Sequence, residues 1–375
     1  MKQGGTLIMK IAIDKNELAQ ALDTVTKAVP TGKVVIQVLE GILIEANDGK
    51  LSIVKNNLES AIKHTVSCEV IKPGKAIVNA KMICEIVRKM PNEELDIVVE
   101  DKKMTIEAGK AVMKVPVVEA EYPGLPSVTE IASFEIDKKV FADSVNGVAF
   151  AVYDGQEKPA LTGINIVIEN GIAEIVAIDG YMVAYRRISL SAQNSTALLN
   201  GKSLENVVRS IGEEGTLTVS LSDNIAMLVT EDTQIMVRAV DGTFMNYKRF
   251  MLTENTTKVR VNATELTKSL ERALLVFETG AKGSVGEALK ITSKGESLSL
   301  TMKGDKGTFN EEIFCDISGD KIEIGLDPRR ILTCLKHIED KEVLLGFSGT
   351  LAPAFIMPID GDSFKYIVMA VRTKS

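Results

Sequence analysis

The 375-residue chain predicts an α+β fold of three tandem, structurally similar domains, each built from two strand–helix–strands units. Three observations point there. A phrase made of an alternating strand, an Asp or Asn, and an amphipathic helix occurs three times, about 124 residues apart. A second phrase of the same kind occurs three times midway between. After each phrase the apolar period changes from helical to alternating. Taking the Asp or Asn as a marker gives positions 14, 79, 137, 200, 262 and 327, with steps of 58 to 65 residues. Self-similarity at a near-fixed period signals repeated modules, and six units taken in pairs make three domains.

The first phrase reads Lys10-Ile11-Ala12-Ile13-Asp14 before Glu17 and Leu18, then Phe134-Glu135-Ile136-Asp137 before Val140 and Phe141. Its third copy is Val259-Arg260-Val261-Asn262 before Glu265 and Leu266. The second phrase reads Ala76-Ile77-Val78-Asn79 before Met82, Ala197-Leu198-Leu199-Asn200 before Ser203, and Ile324-Gly325-Leu326-Asp327 before Ile331. Each marker stands where a helix N-cap belongs, because a short polar side chain there accepts from the unpaired amides of the first turn. Apolar residues then recur at helical spacing, as in Leu18, Leu22, Val25 and Val29, or Met82, Ile83, Ile86 and Val87. That spacing gives one apolar stripe on a polar helix. Runs such as Leu51-Ser52-Ile53-Val54, Leu95-Asp96-Ile97-Val98-Val99 and Leu217-Thr218-Val219-Ser220-Leu221 alternate with period two. Asn47-Asp48-Gly49, Glu169-Asn170-Gly171 and Ser222-Asp223-Asn224 punctuate them as hairpin turns. A unit therefore reads strand, helix, then about three antiparallel strands, and helices on one face of a sheet are the economical packing.

The expected divisions are an N-terminal extension at 1–8 and domains at 9–131, 132–255 and 256–375. The expected linkers are Tyr122-Pro123-Gly124-Leu125-Pro126 and Thr253-Glu254-Asn255-Thr256-Thr257. A hydrophobic share of 45% beside 25% charged residues is ordinary for a globular chain. No apolar run reaches the length of a membrane span, and the start has no signal-peptide form, so a cytoplasmic protein without membrane attachment is expected. Cys68, Cys84, Cys315 and Cys334 lack paired spacing and read as reduced core residues.

Catalytic motifs are missing. Cys334 and His337 lie three apart on a predicted helix, but two ligands make no zinc site. Gly201-Lys202-Ser203 resembles the end of a phosphate loop, yet Thr196 stands where its first glycine belongs. Gly280, Gly283 and Gly286 are loosely spaced, and pairs such as Glu213-Glu214 and Glu311-Glu312 read as solvated faces. No nucleophile is accompanied by a base. The sequence argues against an enzyme and calls for no cofactor.

Charge is unevenly placed. The net charge is −7, but the six predicted helices together carry +6 and the rest of the chain −13. Helices favour Lys and Arg for their own sake. A basic helical face beside an acidic sheet face would also tolerate a phosphate backbone on one side and repel it elsewhere.

Three local signatures give a resemblance. One is Pro159-Ala160-Leu161-Thr162-Gly163-Ile164 followed by Ala177-Ile178-Asp179-Gly180-Tyr181-Met182-Val183-Ala184. The others are Asp241-Gly242-Thr243-Phe244-Met245-Asn246-Tyr247-Lys248-Arg249-Phe250 and the C-terminal Tyr366-Ile367-Val368-Met369-Ala370-Val371-Arg372. In order, and in register with the repeat, they resemble the bacterial DNA polymerase III beta subunits, the sliding clamps, from about Met9 to Arg372. Departures fall at Ile178, Tyr181, Met182, Met245 and Ala370, where the family has Thr, His, Arg and two prolines. Arg249 and Arg372 are kept.

The resemblance implies a ring with helices lining the inside and sheets outside, which encircles double-stranded DNA and confers processivity on a polymerase. Implied DNA-proximal positions are Lys33, Lys158 and Lys202. Lys81, Arg209, Arg329, Arg330 and Lys336 are added from charge alone, and solvated helix positions account for most of these equally well. The implied partner-peptide cleft carries Leu161, Ile178, Gly180, Tyr181, Met182, Val183, Met245, Arg249, Phe250, Ile367, Val368, Met369, Ala370, Val371 and Arg372. Core burial is as good a reading as cleft exposure for Leu161 and Val368. Tyr181, Met182 and Met369 are expected at the cleft surface, since Met-rich surfaces accommodate several partners. Implied partners are a second copy of the chain, a clamp loader complex, the replicative polymerase alpha subunit and other proteins with a clamp-binding motif.

Size supports the dimer. Helices side by side sit about 10 Å apart, so six line a hole of roughly 9 Å and twelve a hole of roughly 28 Å. Duplex DNA is about 20 Å across, so one chain cannot encircle it and two can. The alternatives are a specialised second clamp with altered cleft preference, and an extended β-rich scaffold or adhesin. An adhesin would show an export signal and have no reason to gather positive charge on helices.

Overall fold

A computed structural model describes residues 7–31, 36–91, 93–126, 132–277, 288–304 and 306–372. Among them are seven α-helices: α1 (Lys15–Ala28), α2 (Ala80–Lys89), α3 (Lys138–Ala149), α4 (Gly201–Val208), α5 (Lys248–Met251), α6 (Ala263–Ala273) and α7 (Pro328–Leu335). All but the one-turn α5 start directly after a marker residue, and all six markers cap. Asp14 accepts from the amides of Asn16 and Glu17 at 2.7 and 3.1 Å. Asn79 accepts from Met82 at 3.0 Å, Asp137 from Val140 at 3.0 Å and Asn200 from Ser203 at 2.9 Å. Asn262 accepts from Glu265 at 3.0 Å and Asp327 from Arg329 at 2.9 Å.

Three strands follow α2, α3, α4 and α7, and four follow α1 and α6. The additional strands, Glu69–Lys72 and Asp316–Gly319, each pair back on the first strand of their own unit, Leu7–Asp14 and Thr257–Asn262. Predicted turns form as tight hairpins. Asp48 and Gly49 have φ of 49° and 74°, Asn170 and Gly171 53° and 77°, the left-handed pair that matches strand twist in a two-residue loop.

The chain forms two compact units, Met1–Ala142 with Ala192–Val240, and Asp143–Ser191 with Asp241–Ser375. In the first, one antiparallel sheet runs Ala132–Asp137, Thr216–Leu221, Ile225–Val229, Thr233–Arg238, Ser60–Ser67, Lys50–Asn56, Gly41–Asn47 and Gly74–Asn79. Helix α1 buries Leu18, Leu22 and Val25, packing on strands Lys50–Asn56 and Ser60–Ser67 and on α2 and α4. Burying each such side chain stabilises by roughly 1.5–3 kcal/mol. The predicted linker at Tyr122 is pinned: its hydroxyl donates to the Gly41 carbonyl and accepts from the Asn56 amide, both at 3.1 Å. Burial pushes that hydroxyl up to about 12. On the same strand as Asn56, Lys55 is only 1% exposed and its Nζ has no hydrogen-bond partner among the described residues.

In the second unit a sheet runs Gly163–Glu169, Ile172–Ile178, Met182–Ser189, Phe364–Val368, Ala354–Met357, Glu342–Phe347, Thr257–Asn262 and Asp316–Gly319. A four-stranded sheet, Gly307–Phe314, Ser297–Gly304, Leu289–Lys294 and Glu323–Leu326, completes it. Helix α6 packs against α7 and strand Gly307–Phe314, and α7 against strand Phe364–Val368.

Candidate functional site

The first and the last of the three signatures meet at one seam. Strand Met182–Ser189 pairs antiparallel with Phe364–Val368, with Met182 opposite Val368, Val183 opposite Ile367 and Ala184 opposite Tyr366. The Met369 amide continues the seam by donating to the Tyr181 carbonyl at 3.0 Å. Because side chains alternate across a strand, Val183 and Ile367 share one face. There they join Leu161, Val176, Ile178, Tyr185, Tyr247 and Phe355 in a buried apolar cluster. Tyr153, Phe244, Phe250, Met251 and Met357 pack around it half-buried.

The same pleat corrects one expectation. Met182, expected at the surface, is only 6% exposed. Its side chain and that of Val368 point to the opposite face of the sheet from Val183 and Ile367. Leu161, Ile178, Val183 and Ile367 form a buried floor. Tyr181 at 50% and Met369 at 38% exposure stand above it, with Met245, Arg249 and Arg372 also exposed and Ala370 and Val371 half-buried. The Val371 amide donates to the Gly325 carbonyl at 2.8 Å and ties the tail down.

The 179–182 turn is braced from below. Asp179 Oδ1 accepts from the amides of Tyr181 and Met182 at 2.7 and 2.6 Å. Asp179 Oδ2 accepts from Arg330 at 2.5 Å, and that guanidinium lies 4.5 Å from the Tyr181 ring centroid. Gly180 takes φ of 93°, a conformation that suits glycine, and Lys158 Nζ lies 3.9 Å from where a Cβ on it would stand. Two residues expected at DNA, Lys158 and Arg330, thus sit beside this turn.

Tyr185 and Glu174, outside the signatures, complete the floor together with Tyr247. Glu174 accepts from the Tyr185 hydroxyl at 3.0 Å and from the Tyr247 hydroxyl at shorter range. Burial, with the Glu174 carboxylate adding to it, holds both phenols above the ordinary tyrosine range. Tyr247 lies inside a quoted signature. Glu174 gave no signal, since an acid on an alternating strand reads as solvent-facing.

The other basic positions divide between the units. Lys81, Lys202 and Arg209 are exposed on or just after α2 and α4, and Glu205 pairs with both Lys202, at 3.1 Å, and Arg209. Arg329 pairs with Asp327 at 2.7 Å and stacks on Phe277 at 4.6 Å, while Lys336 is exposed just past α7. Lys33 and the glycines 280, 283 and 286 lie outside the described residues. Cys334 is buried, which holds its thiol high, and His337 stacks on Phe150 at 4.5 Å. Among the described residues, no group of three or more His, Cys, Asp or Glu fits a metal ion. No described helix is long and apolar enough to cross a membrane.

Six capped strand–helix–strands units in antiparallel sheets place this chain in the three-domain sliding-clamp class of folds. Models of the DNA polymerase III beta subunit match along its length: the N-terminal domain at residues 9–126, the central domain at 135–246 and the C-terminal domain at 248–372. The chain belongs to the DNA polymerase III beta subunit family. It is 26% identical to the beta sliding clamp of Halalkalibacterium halodurans over 97% of this chain and 100% of that one. With the Bacillus subtilis beta sliding clamp the identity is 25%, again over 97% of this chain and all of the relative. The crystal structure of the Thermotoga maritima beta subunit superposes with a TM-score of 0.89 at 28% identity, covering 98% of this chain and 100% of that one. The Bacillus subtilis clamp structure superposes with a TM-score of 0.92 at 24% identity, covering 98% and 100%.

Proposed function

We propose that two copies of this chain close head to tail into a ring around duplex DNA, with the domains divided at 9–131, 132–255 and 256–375. The ring has no catalytic role of its own. It slides on DNA in the cytoplasm and tethers the replicative polymerase alpha subunit, and other partners with a short clamp-binding peptide, at the seam cleft of the second unit. A clamp loader sets it on DNA. Tethering makes each rebinding of the polymerase effectively intramolecular, which is what processivity requires.

The observation that carries this reading is the cleft: a buried apolar floor under exposed Tyr181, Met245 and Met369, with Arg249 and Arg372 also exposed. A rigid floor with exposed apolar side chains above it suits a short peptide better than a small polar substrate. Each unit also offers an outer strand for a second copy. In the first unit a second sheet runs Glu69–Lys72, Leu7–Asp14, Glu94–Glu100, Lys103–Ala108 and Ala111–Pro116, ending on the last with Val112 and Met113 exposed. In the second unit Gly307–Phe314 ends the four-stranded sheet with Phe314 exposed. Open edges of this kind pair with another chain, and two different edges give the head-to-tail contact that closes a ring. Light scattering at micromolar concentration tests it. A particle of twice the 40.6 kDa chain mass is expected, and a monomer would contradict the ring.

A further inference from the structure

A groove of about 520 Å³ in the first unit lies among α1, α2 and the end of α4, with Lys27, Arg88 and Arg209 on its walls. Each cation comes from the last turn or C-cap of a different helix. Helix dipoles favour a cation at each such end, but they do not require three of them to converge on one groove.

All three cations are occupied by carboxylates. Asp23 holds Lys27 through Oδ2 at 2.9 Å and Arg88 through Oδ1. Glu205 holds Arg209 through one oxygen and Lys202 through the other, at 3.1 Å. Lys27, Arg88, Lys202 and Arg209 are each more than half exposed, whereas the two acids between them are half-buried. Hydrogen bonding from Lys27, with Arg88 beside it, keeps the Asp23 carboxyl below its usual range, so it is ionised at neutral pH.

We propose that this groove receives a DNA phosphate backbone, and that Asp23 and Glu205 restrain its grip by each sequestering two cations. The inference rests on the clamp reading and adds a governor to it. Exposed ion pairs are weak and screened by salt, so a passing phosphate can take Lys27 or Arg88 from Asp23, and the carboxylate recaptures it as the phosphate leaves. Four free cations would hold DNA more firmly than two and slow the sliding. Two carboxylates halve that charge without removing the side chains.

The test is a salt series of fluorescence-anisotropy titrations of the full-length protein with a short DNA duplex. Asp23→Asn is expected to tighten binding about tenfold at low salt, and to steepen the log affinity against log salt plot by roughly 0.9 for each phosphate newly neutralised. Glu205→Gln is expected to act in the same direction through Lys202 and Arg209, which keeps the test available if one variant folds poorly. Adding Arg88→Gln to Asp23→Asn is expected to remove most of the gain. Glu342→Gln makes the same change of net charge at an ion pair with Arg260 outside the groove, and is expected to leave the slope unchanged. An Asp23→Asn slope equal to that of the unaltered protein, or no steeper than that of Glu342→Gln, would overturn the governor while leaving the clamp reading intact. No binding of the duplex by either the unaltered protein or Asp23→Asn at any salt would also overturn the governor, whereas the clamp reading fails only if retention on DNA circles is no longer than on linear DNA.

Discussion

Six short polar side chains decide where the principal helices begin. Asp14, Asn79, Asp137, Asn200, Asn262 and Asp327 each accept from an amide two or three residues on. Capping is a local bond, so it is readable from the sequence whatever the rest of the chain does. Asn79→Ala is expected to cost about 1 kcal/mol, measured as a lower urea midpoint at an unchanged slope. Lys55 is the opposite case. Nothing in Ser52-Ile53-Val54-Lys55-Asn56 marks it as buried, and its environment comes from packing that local pattern does not encode. Burial lowers its ammonium pKa from 10.5. Between that lowered value and 10.5 the native state binds fewer protons than the unfolded chain, so stability rises with pH across the window. Below the window the buried charge exerts its full penalty. Lys55→Met is therefore expected to raise stability at pH 7 by about 1 kcal/mol or more and to flatten the rise towards pH 10. Urea unfolding at pH 7, 8.5 and 10 would check both effects.

The strand Phe364–Val368 and the tail after it organise the seam where the cleft is proposed. Their sequence was legible as a signature, and so was its association with the 178–184 segment. Which side chains face the cleft was not, because that depends on a cross-strand register between residues about 186 positions apart, Met182 and Val368. The pleat sends those two to the other side. Arg330 shows the same limit: its partner Asp179 is 151 residues away, so a helix-borne arginine that read as a surface charge proves to brace a turn. Deleting residues 369–375 removes the backbone bond to Tyr181 and the apolar Met369. It is expected to abolish binding of a short peptide carrying Gln, Leu and a terminal aromatic or Leu, while leaving the dimer intact. Calorimetric titration should find roughly micromolar affinity for the unaltered protein, in keeping with so small a contact. Unchanged affinity after the deletion would mean the cleft is misassigned.

At the scale of the whole molecule, net charge and sequence repeat looked contradictory. A chain of −7 is a poor nucleic-acid binder by composition, yet its helices together are basic and its acidic excess lies outside them, mostly in the turns and connections rather than in the strands. The proposed ring resolves this, since topology rather than attraction would hold the DNA, and weak attraction would permit sliding. The most direct measurement is retention on DNA circles after loading, compared before and after cutting. The account predicts long retention on a nicked circle and rapid loss once the circle is linearised, with ends through which the protein slides off. Equal retention on circular and linear DNA would contradict it.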